Sequence, residues 1–182
     1  MKNISDLVKD INLVDCVGAS DKVITDIQYD SRKLGPGMMF VALRGYTVDG
    51  HDYIEKAIES GAVAIVCEEI PSEIKKDITY IKVADTRVSL AQLAHAWYDY
   101  PSRAMKVIGV TGTNGKTTIT FVLKSIFEKA GLKTGIIGTT GIFIGNESIP
   151  ATHTTPESLE LAGIFAKMRE QECEYVIMEV SS

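Results

Sequence analysis

Apolar positions divide the chain into short runs that alternate with amphipathic segments. Runs of strand length occur in "VITDIQYDSR", "MMFVAL", "AVAIVCE", "TYIKVA", "KVIGVTG", "KTGIIGTT" and "EYVIMEVSS", and an unbroken apolar run such as "AVAIVC" is typical of a strand buried on both faces. Between several of these runs, apolar residues recur three and four positions apart, which predicts helices. Alternating strands and helices predict an α/β fold with parallel sheets.

Capping and turn residues place the ends of several elements. The helix in "DTRVSLAQLAHAWYDYP" is expected to begin at Asp85 or Thr86 as its N-cap and to stop at Pro101. Pro156 is expected in the first turn of the helix in "PESLELAGIFAKMREQE", because proline is favoured there. The segment "GIFIGNESIP" predicts a hairpin that turns at Gly145–Asn146.

The junction "PSRAM" separates two predicted domains. We expect a small α/β domain over residues 1–101 and the first part of a parallel-sheet nucleotide-binding domain over residues 102–182. A sheet of the second type needs further strands, each connected by a helix. The final strand is followed by no such helix, so we expect the sequence to be a truncated piece of a longer protein.

Composition and charge restrict the possible functions. The chain has 182 residues, 45% of them hydrophobic, and a net charge of -5, which disfavours a nucleic-acid surface because phosphate backbones attract clustered Lys and Arg. The N-terminus is too polar for a signal peptide, and no apolar run approaches the length of a membrane span. The cysteines are Cys16, Cys67 and Cys173; they form no metal or redox motif and are expected to be reduced thiols in a cytoplasmic protein.

The segment "VIGVTGTNGKTT" has the features of a phosphate-binding loop. The common pattern is Gly, four residues, then Gly-Lys-Ser/Thr, but here Val110 occupies the first position and Gly112 is the nearest glycine. Gly112 and Gly115 would bracket a tighter turn whose backbone N–H groups converge on a phosphate at a helix N-terminus. Lys116 would reach the β- and γ-phosphates, and the hydroxyl of Thr117 would bind Mg²⁺. The predicted nucleotide-binding residues are Gly112, Thr113, Asn114, Gly115, Lys116, Thr117 and Thr118.

A carboxylate for the Mg²⁺ ion is expected at a neighbouring strand tip. Glu179 follows four apolar residues in "EYVIMEVSS", and the carboxyl ends of parallel strands face the ligand crevice. The alternatives are a glycine turn with a solvated Lys116 and a solvated Glu179 beyond the strand end. The strand before the loop and the helix after it favour the nucleotide site.

These motifs together resemble the Mur ligase family, which builds the bacterial peptidoglycan precursor. "VIGVTGTNGKTT" resembles the family's ATP loop, which folylpolyglutamate synthetases share in related form. "YDSRKLGPGMMFVALRGYTVDGHDYIEKAIESGA" is similar to the N-terminal domain that binds a uridine nucleotide. "THTTPESLEL" resembles the muropeptide-binding loop and "MEVSS" the strand-tip motif. Their combination resembles the branch of the family that adds a diamino acid.

The resemblance implies ATP-driven amide formation. A carboxylate of UDP-MurNAc-L-Ala-D-Glu would attack the γ-phosphate of ATP, and the amine of meso-diaminopimelate or L-lysine would then displace phosphate from the acyl phosphate. Lys116 and Glu179 would be the catalytic residues, and Thr117 and Glu179 would hold Mg²⁺. The full-length protein is expected to be a cytoplasmic monomer without nucleic-acid or membrane partners. The family's later metal-binding lysine and C-terminal domain have no counterpart in these residues, so the chain by itself is expected to be inactive.

Substrate-binding residues are also implied by motif position. The uridine diphosphate would contact Ser31, with Tyr29 beside it, and the uracil pocket would be lined by Tyr46, Thr47 and Val48. The muropeptide would contact His153, Thr154, Thr155 and Ser181. His153 departs from the family, which often has Asn before the two threonines.

Two other functions remain open at this point. The chain could be a binding module that holds a UDP-sugar or ATP without turnover. It could also belong to another ligase of the superfamily, such as the MurF type or a folylpolyglutamate synthetase. The domain predicted to recognise uridine argues against folate as the substrate.

Overall fold

The computed structural model divides into two compact units, Met1–Trp97 and Tyr98–Ser182. The residues that it describes are 1–45, 48–145, 147–150 and 153–181. Both units combine helices with sheets that contain parallel strands, as the hydrophobic pattern predicts. None of the helices in the described ranges is long and apolar enough to cross a membrane.

The first unit is built on a mixed sheet. Its strands are β1 (Lys2–Asn3), β2 (Leu13–Val17), β3 (Val23–Ile24), β4 (Ile27–Gln28), β5 (Met39–Val41), β6 (Ala64–Cys67) and β7 (Thr79–Val83), and its helices are α1 (Ile4–Leu7), α2 (Ile54–Glu59) and α3 (Thr86–Trp97). Among the described residues, five strands form the main sheet in the order β2-β7-β6-β5-β4, and β1 pairs with β3. The strands β4 to β7 run parallel, and β2 is antiparallel to β7.

The core of the first unit lies against the central strands. All four residues of β6 are buried, which confirms the prediction for "AVAIVC". Phe40, Ile65 and Tyr80 are at most 1% exposed and pack in one cluster with Ala57 of α2. The carboxyl ends of β4, β5 and β6 lie next to one another, because these strands are neighbours in the sheet and run parallel.

The N-terminus of α3 is capped by Asp85. Its Oδ1 atom accepts hydrogen bonds from the backbone N–H groups of Arg87 and Val88, at 2.8 and 2.9 Å. The helix begins at Thr86, and the sequence left Asp85 and Thr86 as alternatives for the cap. The structure therefore selects Asp85, while Thr86 donates to Glu68 instead.

Removing this cap is expected to destabilise the first unit. Asp85→Ala should lower the free energy of unfolding by about 1 kcal/mol, because two N–H groups at the helix start lose their acceptor. Asp85→Asn is the matched control, since asparagine caps helices about as well as aspartate does. Chemical denaturation followed by circular dichroism would measure both. An alanine variant as stable as the asparagine variant would contradict the assignment of the cap.

The second unit contains the predicted loop between a strand and a helix. Its strands are β8 (Lys106–Val110), β9 (Thr134–Gly138), β10 (Gly141–Ile144), β11 (Glu147–Ile149) and β12 (Tyr175–Glu179), and its helices are α4 (Lys116–Lys129) and α5 (Ser158–Glu170). In the described part of the chain these five strands form one sheet in the order β11-β10-β9-β12-β8. The strands β8, β12 and β9 run parallel, whereas β10 is antiparallel to β9 and β11. The tips of β8, β12 and β9 therefore lie at one edge of the sheet.

Some predicted element boundaries are wrong. Pro156 precedes α5, which begins at Ser158 with Glu157 as its N-cap, so the proline is not in the first turn. The predicted strand "VITDIQYDSR" is divided into β3, β4 and a short 3-10 turn over Ser31–Lys33. The hairpin is confirmed by the antiparallel pairing of β10 with β11, and its turn residue Asn146 lies outside the described residues.

Candidate functional site

The glycines of the predicted loop have the backbone conformations that a tight turn requires. Gly112 has φ 141° and Gly115 has φ 79°, and an L side chain at Gly115 would be strained in this left-handed region. Gly115 immediately precedes α4 as its N-cap residue. The first N–H groups of a helix have no partner within the helix, so this turn presents hydrogen-bond donors and the positive end of the α4 dipole to an anion.

Lys116 and Thr117 occupy the first turn of α4. The Lys116 ammonium lies across the loop and donates to the Gly112 carbonyl oxygen at 2.5 Å. The Thr117 hydroxyl donates to Oε1 of Glu179 at 2.9 Å, over a separation of 62 residues in sequence. The loop, its lysine and the strand-tip carboxylate are thus brought together, as the motifs predict.

Glu179 is more enclosed than the sequence suggests. It is the last residue of β12 and is 1% exposed, whereas the sequence left open a solvated position just beyond the strand. Its carboxylate accepts hydrogen bonds from Thr117 and from the backbone and hydroxyl of Thr139. A buried carboxylate requires such donors, and these donors hold its oxygens at the end of the loop.

Gly138 and Thr139 are members of the site that the sequence did not reveal. A Cβ atom at Gly138 would lie 2.8 Å from Cδ of Glu179, so the carboxylate occupies the space that a side chain would need. Thr139 follows at the tip of β9, the neighbour of β12 in the sheet. The available signal was their position, with Gly138 at the end of the apolar run "TGIIG" and Thr139 directly after it, at a tip that parallel pairing brings beside Glu179.

The predicted muropeptide residues also gather around Glu179. Thr155 donates to the backbone carbonyl oxygen of Glu179 at 3.0 Å and accepts from the backbone N–H and the hydroxyl of Ser181 at 3.0 and 3.2 Å. The hydroxyl oxygens of Thr154 and Thr139 are 3.1 Å apart. His153 precedes these residues and is exposed.

These residues fit a nucleotide with a magnesium ion. Mg²⁺ takes oxygen ligands and is commonly held by one or two carboxylates together with substrate phosphates and water. Thr117 and Glu179 supply such oxygens directly beside a loop of N–H donors and the Lys116 ammonium. Phosphate and water oxygens would complete the coordination of an ion held there. Within the described residues no three His, Cys, Asp or Glu side chains cluster as a metal site.

In the first unit, Ser31 lies in a hydrogen-bonded turn that follows β4. Asp30 caps the turn by accepting from the backbone N–H of Arg32 at 3.0 Å and from its guanidinium at 2.9 and 2.8 Å. These hydrogen bonds to Arg32 lower the pKa of Asp30 to about 2. Tyr29 and Ser31 are both half-buried beside this cap.

A second loop follows β5 at the same edge of that sheet. Arg44 pairs with Asp49 across this loop, and Val48 is 52% exposed. The predicted uracil-pocket residues Tyr46 and Thr47 lie outside the described residues. The carboxyl ends of β4 and β5 therefore carry the Ser31 turn and the Val48 loop as neighbours.

His51, which has no place in any motif, holds this loop to β6. Its Nε2 atom accepts from the backbone N–H of Glu68 at 2.9 Å, so the ring proton is on Nδ1 and is donated to Oδ1 of Asp49 at 2.6 Å. The hydrogen bonds from His51 lower the pKa of Asp49. This role of His51 could not be recognised in the sequence, because the hydrogen-bond partners of a lone histidine depend on the tertiary fold.

Comparison with known proteins agrees with the motifs. The model of the Mur ligase family, catalytic domain, matches residues 23–98, and that of the Mur ligase middle domain matches residues 110–182. The chain belongs to the Mur ligase family. It is 47% identical over 179 residues to UDP-N-acetylmuramoyl-L-alanyl-D-glutamate--2,6-diaminopimelate ligase of Parabacteroides distasonis, an alignment that covers 98% of this chain and 37% of that protein.

Solved structures of Mur ligases share the fold. A structure of UDP-N-acetylmuramoyl-L-alanyl-D-glutamate--2,6-diaminopimelate ligase superposes with a TM-score of 0.76 at 24% identity, covering 99% of this chain and 36% of that one. The MurF ligase from Thermotoga maritima, in complex with ADP, superposes with a TM-score of 0.55 at 24% identity, covering 90% and 33%. The chain thus spans about a third of the length of the relatives it matches.

Proposed function

We propose that a ligase containing this segment joins 2,6-diaminopimelate to UDP-MurNAc-L-Ala-D-Glu at the expense of ATP, in peptidoglycan precursor synthesis. The observation that carries the proposal is the arrangement around Glu179. Its carboxylate contacts Thr117 of the nucleotide loop, and its backbone carbonyl contacts Thr155 of the predicted muropeptide loop. The diamino acid is the one named for the relative from P. distasonis.

The residues of the second unit would act mainly by charge and position. Lys116 and the N–H groups at the start of α4 would hold the phosphates and offset the charge that develops on the transferred phosphoryl group. Thr117 and Glu179 would hold Mg²⁺, and the charge that the ion would supply there would offset the charge of the phosphate oxygens and of the attacking carboxylate. Thr154, Thr155 and Ser181 would place the muropeptide carboxylate next to this site.

The first unit would bind the uridine end of the substrate. Ser31 and Tyr29 lie beside the Asp30 cap at the end of β4, and the Val48 loop lies at the neighbouring end of β5. In this proposal residues 1–101 are the domain for UDP-muropeptide and residues 102–182 belong to the ATP-binding domain. The full-length ligase is proposed to act as a monomer in the cytoplasm, where ATP is available.

The activity can be tested with a full-length ligase that carries this segment. It would be supplied with ATP, Mg²⁺ and one pair of substrates at a time: UDP-MurNAc-L-Ala-D-Glu with diaminopimelate or with lysine, or UDP-MurNAc-tripeptide with D-alanyl-D-alanine. The product would be identified by mass spectrometry. A product with diaminopimelate supports the proposal. A product formed with lysine and not with diaminopimelate would show that lysine is the amine substrate. A product formed only from UDP-MurNAc-tripeptide and D-alanyl-D-alanine would indicate the MurF type. Binding of nucleotide without any amide product would indicate a binding module.

The uridine site has its own test. Ser31→Ala is expected to weaken binding of UDP to the 182-residue chain about tenfold to a hundredfold, the effect of losing one hydrogen bond to a charged group. Isothermal titration would measure the dissociation constant. Ser102→Ala, in the second unit, is the control and should leave UDP binding unchanged. Equal affinities of the Ser31 variant and the parent would place the uridine site elsewhere.

A further inference from the structure

Thr139 contacts both oxygens of the Glu179 carboxylate. Its backbone N–H donates to Oε1 at 3.3 Å, and its hydroxyl donates to Oε2 at 3.1 Å. Oε1 also accepts from the hydroxyl of Thr117 at 2.9 Å. Donors on both oxygens restrict rotation of the carboxylate about its last carbon–carbon bond. Thr139 therefore helps to fix the orientation of the carboxylate plane in which Oε1 faces Thr117.

The direction of the hydroxyl bonds extends this contact to Thr154. An ionised carboxylate only accepts hydrogen bonds, and a threonine hydroxyl has a single proton to donate. Because Thr139 gives its proton to Glu179, Thr154 must be the donor in the 3.1 Å contact between the two hydroxyl oxygens. The proton of Thr154 is then directed at Thr139, which leaves both lone pairs of the Thr154 hydroxyl as acceptors for N–H or O–H groups.

We propose that Thr139 is a positioning residue of the ligase site. It orients Glu179 for the cation that Thr117 also holds, and it joins that carboxylate to the predicted muropeptide loop at Thr154. The inference rests on the proposed function, because it concerns the same nucleotide and peptide sites. Thr139 acts through Glu179 and not by contact with a reacting atom.

Substitutions at position 139 can remove the hydroxyl bond to Glu179 while the backbone N–H bond is kept. Valine at position 139 would keep the shape of threonine and the N–H bond to Oε1, but it would leave Oε2 without its hydroxyl donor. Serine would keep the hydroxyl. Thr140 is the adjacent exposed threonine, and Thr140→Val removes the same chemical group one residue away. The three variants therefore isolate the hydroxyl of Thr139.

The test measures binding of ADP to the 182-residue chain in Mg²⁺ and in EDTA by isothermal titration. In the parent, Mg²⁺ is expected to strengthen binding. Thr139→Val should reduce this gain about tenfold, the order expected for one hydrogen bond to a charged group, and should leave the affinity in EDTA unchanged. Thr139→Ser and Thr140→Val should retain the gain of the parent. A purely structural role would instead lower both affinities together.

A double-mutant cycle with Glu179→Gln tests whether Thr139 acts through the carboxylate. If it does, Thr139→Val should have no further effect in the Glu179→Gln background, because the coupled effects are not additive. Additive losses, or a parent-like gain from Mg²⁺ in Thr139→Val, would overturn the inference. Failure of the parent itself to bind ADP in either solution would overturn the proposed function and, with it, the role of Thr139. If the parent binds ADP and Thr139→Val keeps the parent's gain in affinity from Mg²⁺, only the role of Thr139 is overturned.

Discussion

Replacement of Lys116 by alanine is expected to lower the rate of ATP-dependent phosphate release by about 10²–10³-fold, the usual cost of removing one preorganised charge-stabilising group. Lys116 is the first residue of α4, and its ammonium lies over the loop at the Gly112 carbonyl oxygen. A phosphoryl group bound at the N–H donors of the loop would lie within reach of this ammonium. The measurement is phosphate release by a full-length ligase carrying this segment, with muropeptide and amine present.

Lys129→Ala is the matched control for this experiment. Lys129 is the last residue of the same helix, at the end opposite to the loop, so its replacement removes an equal charge without altering the site. Its rate should remain close to that of the parent. A Lys116 variant that is as fast as the Lys129 variant would remove Lys116 from the catalytic residues.

Gly138→Ala is expected to abolish the contribution of Mg²⁺ to nucleotide binding. A Cβ atom at this position would lie 2.8 Å from Cδ and 3.0 Å from Cγ of Glu179. Glu179 is buried and hydrogen-bonded, so it cannot move aside without losing its donors Thr117 and Thr139. Overpacking of this kind also costs about 1–3 kcal/mol of stability. Titration with ADP in Mg²⁺ and in EDTA measures the first effect, and chemical denaturation measures the second.

Gly135→Ala separates the two effects. Gly135 is in the same strand, β9, and the three atoms nearest to a Cβ atom there would all belong to the side chain of Met168, with its terminal methyl carbon at 2.7 Å. Methionine is flexible and can adjust, and Met168 belongs to a core cluster that does not include Glu179. This variant should lose some stability but keep the effect of Mg²⁺. A Gly138 variant that binds ADP with the same Mg²⁺ dependence would show that the carboxylate does not hold the ion.

The turn geometry of the predicted nucleotide loop could be anticipated because its information is local. Gly112, Gly115, Lys116 and Thr117 lie within six residues of sequence, and a strand and a helix flank them. The turn needs positive φ at its glycines, and few residue types satisfy that requirement. The α/β class was predictable for a similar reason, since buried parallel strands leave unbroken apolar runs such as β6.

The surroundings of Glu179 could not be predicted in the same way. Gly138 and Thr139 are about 40 residues from Glu179 in sequence, and they contact it because β9 and β12 pair in register. A glycine at the end of an apolar run has many causes, and the close approach of a carboxylate is visible only after the sheet is assembled. His51 was missed for the same reason, since its partners are Asp49 and the backbone of Glu68.

Element ends were the weakest of the sequence predictions. Pro156 suits the first turn of a helix, but Thr155, the residue before it, bonds to Glu179 and Ser181, and α5 begins two residues later with Glu157 as its N-cap. Asp30 similarly ends the extended segment after β4, because its side chain accepts from Arg32 and closes a turn at Ser31. At both positions the local preference for a regular element yields to side-chain hydrogen bonds at a predicted binding residue.

We propose that Thr117 and Glu179 hold a magnesium ion beside a nucleotide bound at the loop of Gly112–Thr118. A crystal structure of the chain grown with ADP and Mg²⁺ would test this arrangement. Phosphate oxygens are expected at the N–H groups preceding α4, with the metal about 2.1 Å from the Thr117 hydroxyl oxygen and coordinated by Glu179 either directly or through one water. A nucleotide bound elsewhere, or a metal that contacts neither residue, would contradict it.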